Sequence, residues 1–330
     1  MQDLIVPSPA GLYCPAGDFH IDPMRPVDRA IVTHGHADHA RSGSRRYWTS
    51  EKSLSILEHR LGSDQDYSPV GYGESFELGD VSVSLHPAGH ILGSAQVRID
   101  DGKQVWVVSG DYKRAPDPTA DDFEPVRCDV FVTESTFALP AYRWPDTPQV
   151  AQEVLAWWEE ARAADRPAVL FCYALGKAQR LLAELAGALD RPVYVHGAMV
   201  PLVDCYRRAG VALPETAPVS GEKRGHEFKG ELIIAPPSAA GTPWMRRFAG
   251  CSTGFASGWM RIRGNRRRRG YDRGFVLSDH ADWPGLIRTI RETGARRIIC
   301  MHGQAEILVR YLNEEMGLSA ERLREARSDA

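Results

Sequence analysis

The chain has 330 residues, of which 43% are hydrophobic and 25% charged, and its formal net charge is −3. This length suggests two domains or one large domain with an insertion, and the ordinary composition excludes a low-complexity disordered chain. No apolar run approaches the roughly 18–20 residues of a membrane span, and Met1–Pro7 lacks a signal-peptide pattern. We therefore expect a cytoplasmic protein with no membrane contact.

The first third of the chain is predicted to form short strands separated by turns. Apolar or alternating patterns predict strands at Ala30–Thr33, Val81–Leu85, Gln104–Val108 and Asp129–Thr133. Three prolines and four acidic residues in Ala115–Pro125 predict a loop there.

Beyond residue 138, predicted strands alternate with predicted helices. The first helix carries Val150, Val154, Leu155 and Trp158 on one side. The later elements are the strand Ala168–Cys172, the helix Gly176–Leu189, the strand Pro192–Val195, the strand Gly274–Leu277, the helix Trp283–Thr293, the strand Arg297–Cys300 and the helix Ala305–Met316. This alternation predicts an α/β architecture with a parallel sheet.

The most informative motif is Thr33–Ala40, which reads THGHADHA. It follows a predicted strand and lies in a turn that we expect to open a helix. Three imidazoles and one carboxylate fall within six residues, at His34, His36, Asp38 and His39. Imidazole and carboxylate bind Zn²⁺ and related divalent ions, so the motif predicts a metal site. The six scattered cysteines contain no C-x-x-C pair, which argues against a cysteine zinc site.

This motif resembles the signature of the metallo-β-lactamase fold, and further matches follow in family order. They are His90 in HPAGHILGSA, Asp111 in SGDYK, and an early aspartate best matched by Asp18 in GDFH, with Asp22 second. Three segments resemble motifs A, B and C of the β-CASP nucleases: Thr133–Phe137, Leu277–Asp282 and Cys300–Gly303. Ala174–Gln179, which reads ALGKAQ, also resembles a β-CASP segment.

The resemblance implies an α/β fold, namely a metallo-β-lactamase αββα sandwich with an inserted β-CASP α/β domain. The implied domains are residues 1–140 for the first part of the sandwich, 141–255 for the insertion and 256–330 for the C-terminal part.

The resemblance also implies two divalent metal ions, with zinc expected and manganese as the alternative. His34, His36 and His90 would hold the first ion, Asp38, His39 and His302 the second, and Asp111 would bridge them. Asp18 would support a ligand histidine from behind. Two such ions about 3.5–4 Å apart can share a hydroxide and bind a phosphodiester for in-line attack.

Catalysis would also need a proton donor for the leaving oxygen. His280 is the candidate general acid, because an imidazole titrates near neutral pH. Glu134 would orient His280 or a ligand, and Asp38 would act with them at the metal.

Positive charge is concentrated between Arg246 and Arg273, which contains nine arginines and one acidic residue. One interpretation is a solvated basic face. The other is a phosphate-binding surface, because arginine forks suit phosphate oxygens and the interleaved aromatic rings can stack on bases. The predicted nucleic-acid contacts are Lys177, Arg261, Arg263, Arg266, Arg267, Arg268 and Arg269.

The predicted function is that of a metal-dependent phosphodiesterase on nucleic acid, a DNA exonuclease in repair. Segments around Gly11–Asp38, Phe255–Arg263 and Phe275–Trp283 resemble the bacterial DNA ligase-associated exonucleases, which implies association with a DNA ligase and helicase. DNA is favoured over RNA, but RNA-acting β-CASP enzymes carry histidine at motif C, as His302 does. An RNA 3′-end processing nuclease is therefore the alternative. A small-substrate hydrolase and a catalytically inactive scaffold fit less well, because motifs A to C and every candidate ligand are present.

Overall fold

The computed structural model describes residues 2–262 and 270–323, which form two compact units. The first unit comprises the described residues up to Ala141 together with those from His280 onward, and the second unit is Tyr142–Asp279. The second unit extends past residue 255, the predicted end of the insertion, because the strand Arg273–Phe275 still pairs with the strand Ser252–Ala256.

The strands are short, and three sheets contain them. In chain order they are β1 (Val6–Ser8), β2 (Gly11–Cys14), β3 (Phe19–Ile21), β4 (Arg29–Ile31), β5 (Arg46–Ser50), β6 (Tyr67–Val70), β7 (Ser75–Leu78), β8 (Val81–Pro87), β9 (Ala95–Asp100), β10 (Val105–Val108), β11 (Val130–Glu134), β12 (Ala168–Phe171), β13 (Val193–Val195), β14 (Thr216–Pro218), β15 (Leu232–Ala235), β16 (Ser252–Ala256), β17 (Arg273–Phe275), β18 (Arg297–Met301) and β19 (Ser319–Arg322).

The α-helices in the described part of the chain are α1 (Leu54–Leu61), α2 (Thr147–Ala163), α3 (Lys177–Leu185), α4 (Val200–Arg208), α5 (Trp283–Thr293) and α6 (Ala305–Met316). Among these described helices, none combines the length and the apolar character that crossing a bilayer requires.

The first unit contains two sheets that share one core. The first sheet has the order β1-β2-β3-β4-β5-β6 and the second the order β19-β18-β11-β10-β9-β8-β7. Phe19 and Ile31 from the first sheet belong to the same buried cluster as Val83, Val97 and Trp106 from the second. Alternate residues of a strand face opposite sides, so both sheets also present apolar residues outward.

Helices cover those outward faces. Ala30 and Tyr47 of the first sheet pack with Leu57 of α1. On the second sheet, the outward residues Phe131 and Ile298 pack with Leu286 and Ile290 of α5 and Leu308 and Leu312 of α6. The first unit therefore has four layers, in the order helix, sheet, sheet, helix.

The second unit is built on a parallel sheet with the order β14-β13-β15-β12-β16-β17. Leu170 of β12 packs with Leu181, Leu182 and Leu185 of α3 on one face of this sheet. Val169 and Phe171 contribute to a separate cluster on the other face. The prediction of an α/β chain with a parallel sheet is confirmed.

All six cysteines lie in the described residues and are free thiols. Cys14, Cys172, Cys205 and Cys300 are buried, as expected for cysteines that act as small apolar residues. Burial raises the pKa of Cys172, Cys300 and Cys128 to about 12.

Candidate metal centre

The candidate site residues follow strand ends at one edge of the first unit. The strands β10, β11 and β18 run parallel, and β8 has the same direction because β9 is antiparallel to both β8 and β10. Parallel strands end at the same sheet edge. The loops after these strands carry His90, Asp111 and His302, and Glu134 is the last residue of β11. The loop after β4 brings His34, His36, Asp38 and His39 from the other sheet.

Asp111 lies at the centre of this group. Its Oδ2 is 3.5 Å from His34 Nε2, 3.5 Å from His39 Nε2 and 3.7 Å from His90 Nε2. The preceding residue, Gly110, has a φ of 57°, and a Cβ there would lie 2.8 Å from Thr33 Cβ. A glycine is therefore required for the Asp111 loop to approach the histidine loop this closely.

The first predicted ligand set forms one tight group. His36 Nδ1 is 3.1 Å from His34 Nε2 and 3.0 Å from His90 Nε2. One ligand atom from each of His34, His36, His90 and Asp111 falls within 4.8 Å of the others. Three convergent imidazole nitrogens and a carboxylate oxygen are a donor set that suits a divalent cation, so these residues could hold a metal ion.

Burial favours the ligand form of His34, and neighbouring charges favour that of Asp111. Burial and the neighbouring imidazoles of His39 and His90 hold the pKa of His34 well below its ordinary value, so its ring is neutral. Burial alone would raise the pKa of Asp111, but positive charge on His39 and His280 holds it well below its ordinary value. For His34 and Asp111, a neutral imidazole beside an ionised carboxylate is the protonation pattern that metal binding requires.

The second predicted ligand set is more open. His39 Nε2 is 3.8 Å from Asp38 Oδ2, and the side chain of Asp38 is 76% exposed. The ring of His302 has its centre 5.9 Å from that of His39, and His302 is exposed. His39 therefore lies near both other members of its set, whose assignment as ligands stays a prediction.

The prediction that the histidine motif opens a helix is wrong. Bends and turns connect β4 to β5, and in this turn the N–H groups of His39 and Ala40 both donate to His36 O. The first described α-helix after the motif is α1. A turn brings alternate side chains to one point, which a regular helix of this length could not do.

The predicted supporting aspartate must be corrected from Asp18 to Asp22. Asp22 Oδ2 accepts hydrogen bonds from His39 Nδ1 at 2.7 Å and from Thr33 Oγ1 at 2.6 Å, and Asp22 Oδ1 accepts from Thr33 N at 2.8 Å. Asp18 instead accepts a hydrogen bond from the Tyr13 hydroxyl at 2.9 Å. Asp22 directly follows β3, which runs parallel to β4, so it lies at the sheet edge that carries the histidines, whereas Asp18 precedes β3.

Replacement by asparagine should affect metal affinity at Asp22 but not at Asp18. Both have a left-handed backbone, with φ of 46° at Asp22 and 49° at Asp18, and asparagine tolerates that region. Asp22→Asn should weaken metal affinity about 10- to 100-fold, because His39 loses its charged partner. Asp18→Asn is the matched control and should leave affinity unchanged. Competition with a chromophoric chelator measures both, and equal affinities would assign Asp22 no role in metal binding.

Glu134 and His280 form a hydrogen-bonded pair beside Asp111. His280 Nδ1 donates to Glu134 Oε2 at 2.8 Å, and Glu134 Oε1 accepts from Tyr112 N at 2.8 Å. Glu134 is buried, while the His280 side chain is 20% exposed. His280 Nδ1 is 4.0 Å from Asp111 Oδ2. The pairing agrees with the expectation that Glu134 orients His280.

The residues predicted to contact nucleic acid lie in different environments. The prediction for Lys177 is wrong, because its side chain is 4% exposed and its Nζ is 2.7 Å from Asp279 Oδ2 in an ion pair. Arg261 is exposed at the end of a short 3₁₀ turn. Arg263, Arg266, Arg267, Arg268 and Arg269 lie outside the described residues, so their phosphate contacts stay a prediction.

Curated proteins with similar sequences carry names that refer to DNA, RNA and transcription. A probable DNA ligase of Opitutus terrae is 32% identical over 313 residues, covering 94% of this chain and 30% of that protein. A ribonuclease of Thermus thermophilus is 26% identical over 57% of this chain and 47% of its own length. The transcription termination factor FttA of Methanococcus maripaludis is 25% identical over 52% of this chain and 33% of its own length. The chain thus spans less than half the length of each relative.

A solved structure shares the fold. A crystal structure of a protein of unknown function from Enterococcus faecalis has a TM-score of 0.59, with 13% identity, and covers 99% of this chain and 85% of that one. No family model matches the chain.

Proposed function

We propose that this protein is a metal-dependent phosphodiesterase of the β-CASP type that cleaves nucleic acid, with DNA as its substrate. The observation that carries the proposal is the convergence of three imidazoles on Asp111, next to the Glu134–His280 pair. A donor set for a divalent cation beside a candidate proton donor is the combination that hydrolysis of a phosphodiester needs.

The proposed metal ligands are the imidazole and carboxylate groups described above. His34, His36 and His90 would hold one ion, His39, Asp38 and His302 the other, and Asp111 would lie between them. Zinc is the proposed ion, because imidazole and carboxylate donors suit it. When bound, the metals would supply Lewis acidity toward a phosphate oxygen and lower the pKa of water.

His280 would provide the proton for the leaving oxygen. The Glu134 carboxylate accepts from Nδ1, which fixes the ring and stabilises its protonated form, and Nε2 faces away from Glu134 as the donating atom. Tyr112 N in turn holds Glu134 by its backbone hydrogen bond. The His280 side chain is partly exposed, so a substrate oxygen can reach it.

DNA repair is the proposed setting because the similarity to the probable DNA ligase covers 94% of this chain. An enzyme that trims DNA ends would act together with a ligase and a helicase. A second candidate is an RNA 3′-end processing nuclease. His302, which directly follows β18, and the similarity to a ribonuclease favour this candidate.

The test is a nuclease assay on the purified full chain with end-labelled single-stranded and duplex DNA and RNA. Activity should disappear with a chelator and return with Zn²⁺ or Mn²⁺, and DNA should be degraded faster than RNA. Elemental analysis should approach two transition-metal ions per chain. Chelator-resistant cleavage by a metal-free protein would contradict the proposal, while faster cleavage of RNA would select the second candidate.

A further inference from the structure

Lys177, which the sequence suggests as a phosphate contact, lies inside the second unit with two other charged side chains. Its Nζ is 2.7 Å from Asp279 Oδ2, and Arg180 Nη1 is 3.7 Å from Asp279 Oδ1. The three side chains are only 3–4% exposed. The Cys172 thiol is fully buried, and the charges of Lys177 and Asp279 both influence its pKa.

This group fixes the chain immediately before His280. Arg180 Nη1 donates to Ser278 O at 2.8 Å, and Arg180 also donates to the Thr147 hydroxyl. Asp279 is the neighbour of His280 in the chain. On the other side of His280, Ala281 N donates to Tyr112 O at 2.6 Å. The backbone is thus held on both sides of the proposed proton donor.

Both buried cations, Lys177 and Arg180, lie in the first turn of α3. Lys177 and Arg180 are three residues apart, so they lie on the same face of the helix. The turn is secured by Gln179, whose Oε1 accepts from Gly176 N at 2.8 Å and whose Nε2 donates to Ala174 O at 3.0 Å. Four consecutive residues of this turn are buried, from Lys177 to Arg180.

Stability alone does not account for these charges. Removing ions from water is so costly that a buried ion pair is often no more stabilising than apolar residues of the same volume. Such pairs can instead specify one geometry among several packed alternatives. A geometric role is relevant here because a displacement of about 1 Å at a reacting group can reduce a rate about 100-fold.

We infer that Lys177 and Asp279, supported by Arg180, are positioning residues that fix the His280 backbone for proton donation. They do not touch the substrate themselves. This inference rests on the proposed phosphodiesterase function and goes beyond it. It states that the buried charges of Lys177, Asp279 and Arg180 increase the rate of proton donation by His280.

The test uses three variants of the full chain. Lys177→Met breaks the pair, Lys177→Arg keeps the charge, and Lys177→Met with Asp279→Leu replaces both charges with apolar side chains. On end-labelled single-stranded DNA, the first and third variants should lose about 10- to 100-fold in kcat with KM changed less than about twofold. Lys177→Arg should retain most of the activity. Metal content should equal that of the wild type throughout.

Two further measurements separate positioning from folding. Bis(nitrophenyl) phosphate has a good leaving group that needs little protonation, so its hydrolysis should fall much less than DNA cleavage does. Amide hydrogen exchange over residues 277–282 should be faster in the double variant even when its melting temperature matches that of the wild type. This second readout does not depend on activity.

The outcomes are distinct. A double variant that regains both stability and full kcat on DNA would overturn the positioning role and make the pair purely structural. Equal losses on DNA and on bis(nitrophenyl) phosphate, with unchanged exchange, would also overturn it. A wild-type chain without metal-dependent phosphodiesterase activity would overturn the proposed function instead, and the exchange measurement would still report whether the pair fixes this segment.

Discussion

Asp111→Asn is expected to strip metal from the protein and to abolish nuclease activity. Asp111 Oδ2 lies 3.5–3.7 Å from three imidazole nitrogens. Asparagine keeps the shape of the side chain but removes the negative charge that would offset the charge of the proposed metal ions. Because changes behind a ligand already cost about 10- to 100-fold in affinity, we expect a loss of at least about 100-fold.

Elemental analysis and chelator competition measure this loss. Asp101→Asn is a suitable control, because Asp101 is also a loop aspartate but accepts only from the backbone N–H groups of its own turn, Lys103 and Gln104. It should leave metal content and activity unchanged. An Asp111→Asn protein with two tightly bound metals would contradict the bridging assignment.

His280→Ala is expected to reduce turnover while leaving metal content and nucleic-acid affinity unchanged. General acid catalysis contributes about 10²–10⁴-fold, so the loss of kcat should fall in that range. Hydrolysis of a nitrophenyl phosphodiester should suffer less, because that leaving group needs little protonation. Single-turnover cleavage of labelled DNA separates this chemical step from binding.

His59→Ala provides the matched control, because His59 is exposed in the last turn of α1. It should behave like the wild type. Loss of a metal ion in His280→Ala would make His280 a ligand, and unchanged DNA cleavage would remove it from the mechanism.

The sequence predicted the elements whose patterns are both long and one-sided. The expected helix Trp283–Thr293 is α5 with the same bounds, because Asp282 caps its first turn by accepting from Gly285 N and Gly294 ends it with a left-handed backbone. The three-residue strands β1, β3 and β14 were not predicted, whereas β4 and β13, which have the same length, lie in longer apolar runs and were predicted. Each contains too few side chains to show an alternation that could be told from chance.

The helix predicted over Gly176–Leu189 is shorter in the structure for a local reason. It ends as α3 at Leu185 and continues only as a 3₁₀ turn over Ala186–Ala188. Gly187 lies in that turn and weakens helix propagation. Leu189 still packs against the same core from the following extended residue, which explains why its apolar spacing looked helical.

The errors in the candidate site have a common cause, which is tertiary contact. Choosing between Asp18 and Asp22 required the position of β3, a three-residue strand without a clear pattern. Lys177 was predicted to contact phosphate, and its actual partner could not be foreseen because Asp279 lies 102 positions away in the chain. The histidine motif was recognisable because its donors are close in sequence.

Five of the six native thiols have a raised pKa and the sixth, Cys205, is buried, which makes the chain suitable for site-specific chemical probes. Cys128, Cys172 and Cys300 have pKa values raised to about 12 by burial, and burial likewise raises the pKa of Cys14 and Cys251. Thiol-directed reagents attack the thiolate, so these cysteines react slowly at neutral pH. A new cysteine on an exposed position of either unit would therefore take up a fluorophore or spin label selectively, without prior removal of the native cysteines. Distances between such labels could then be followed during cleavage.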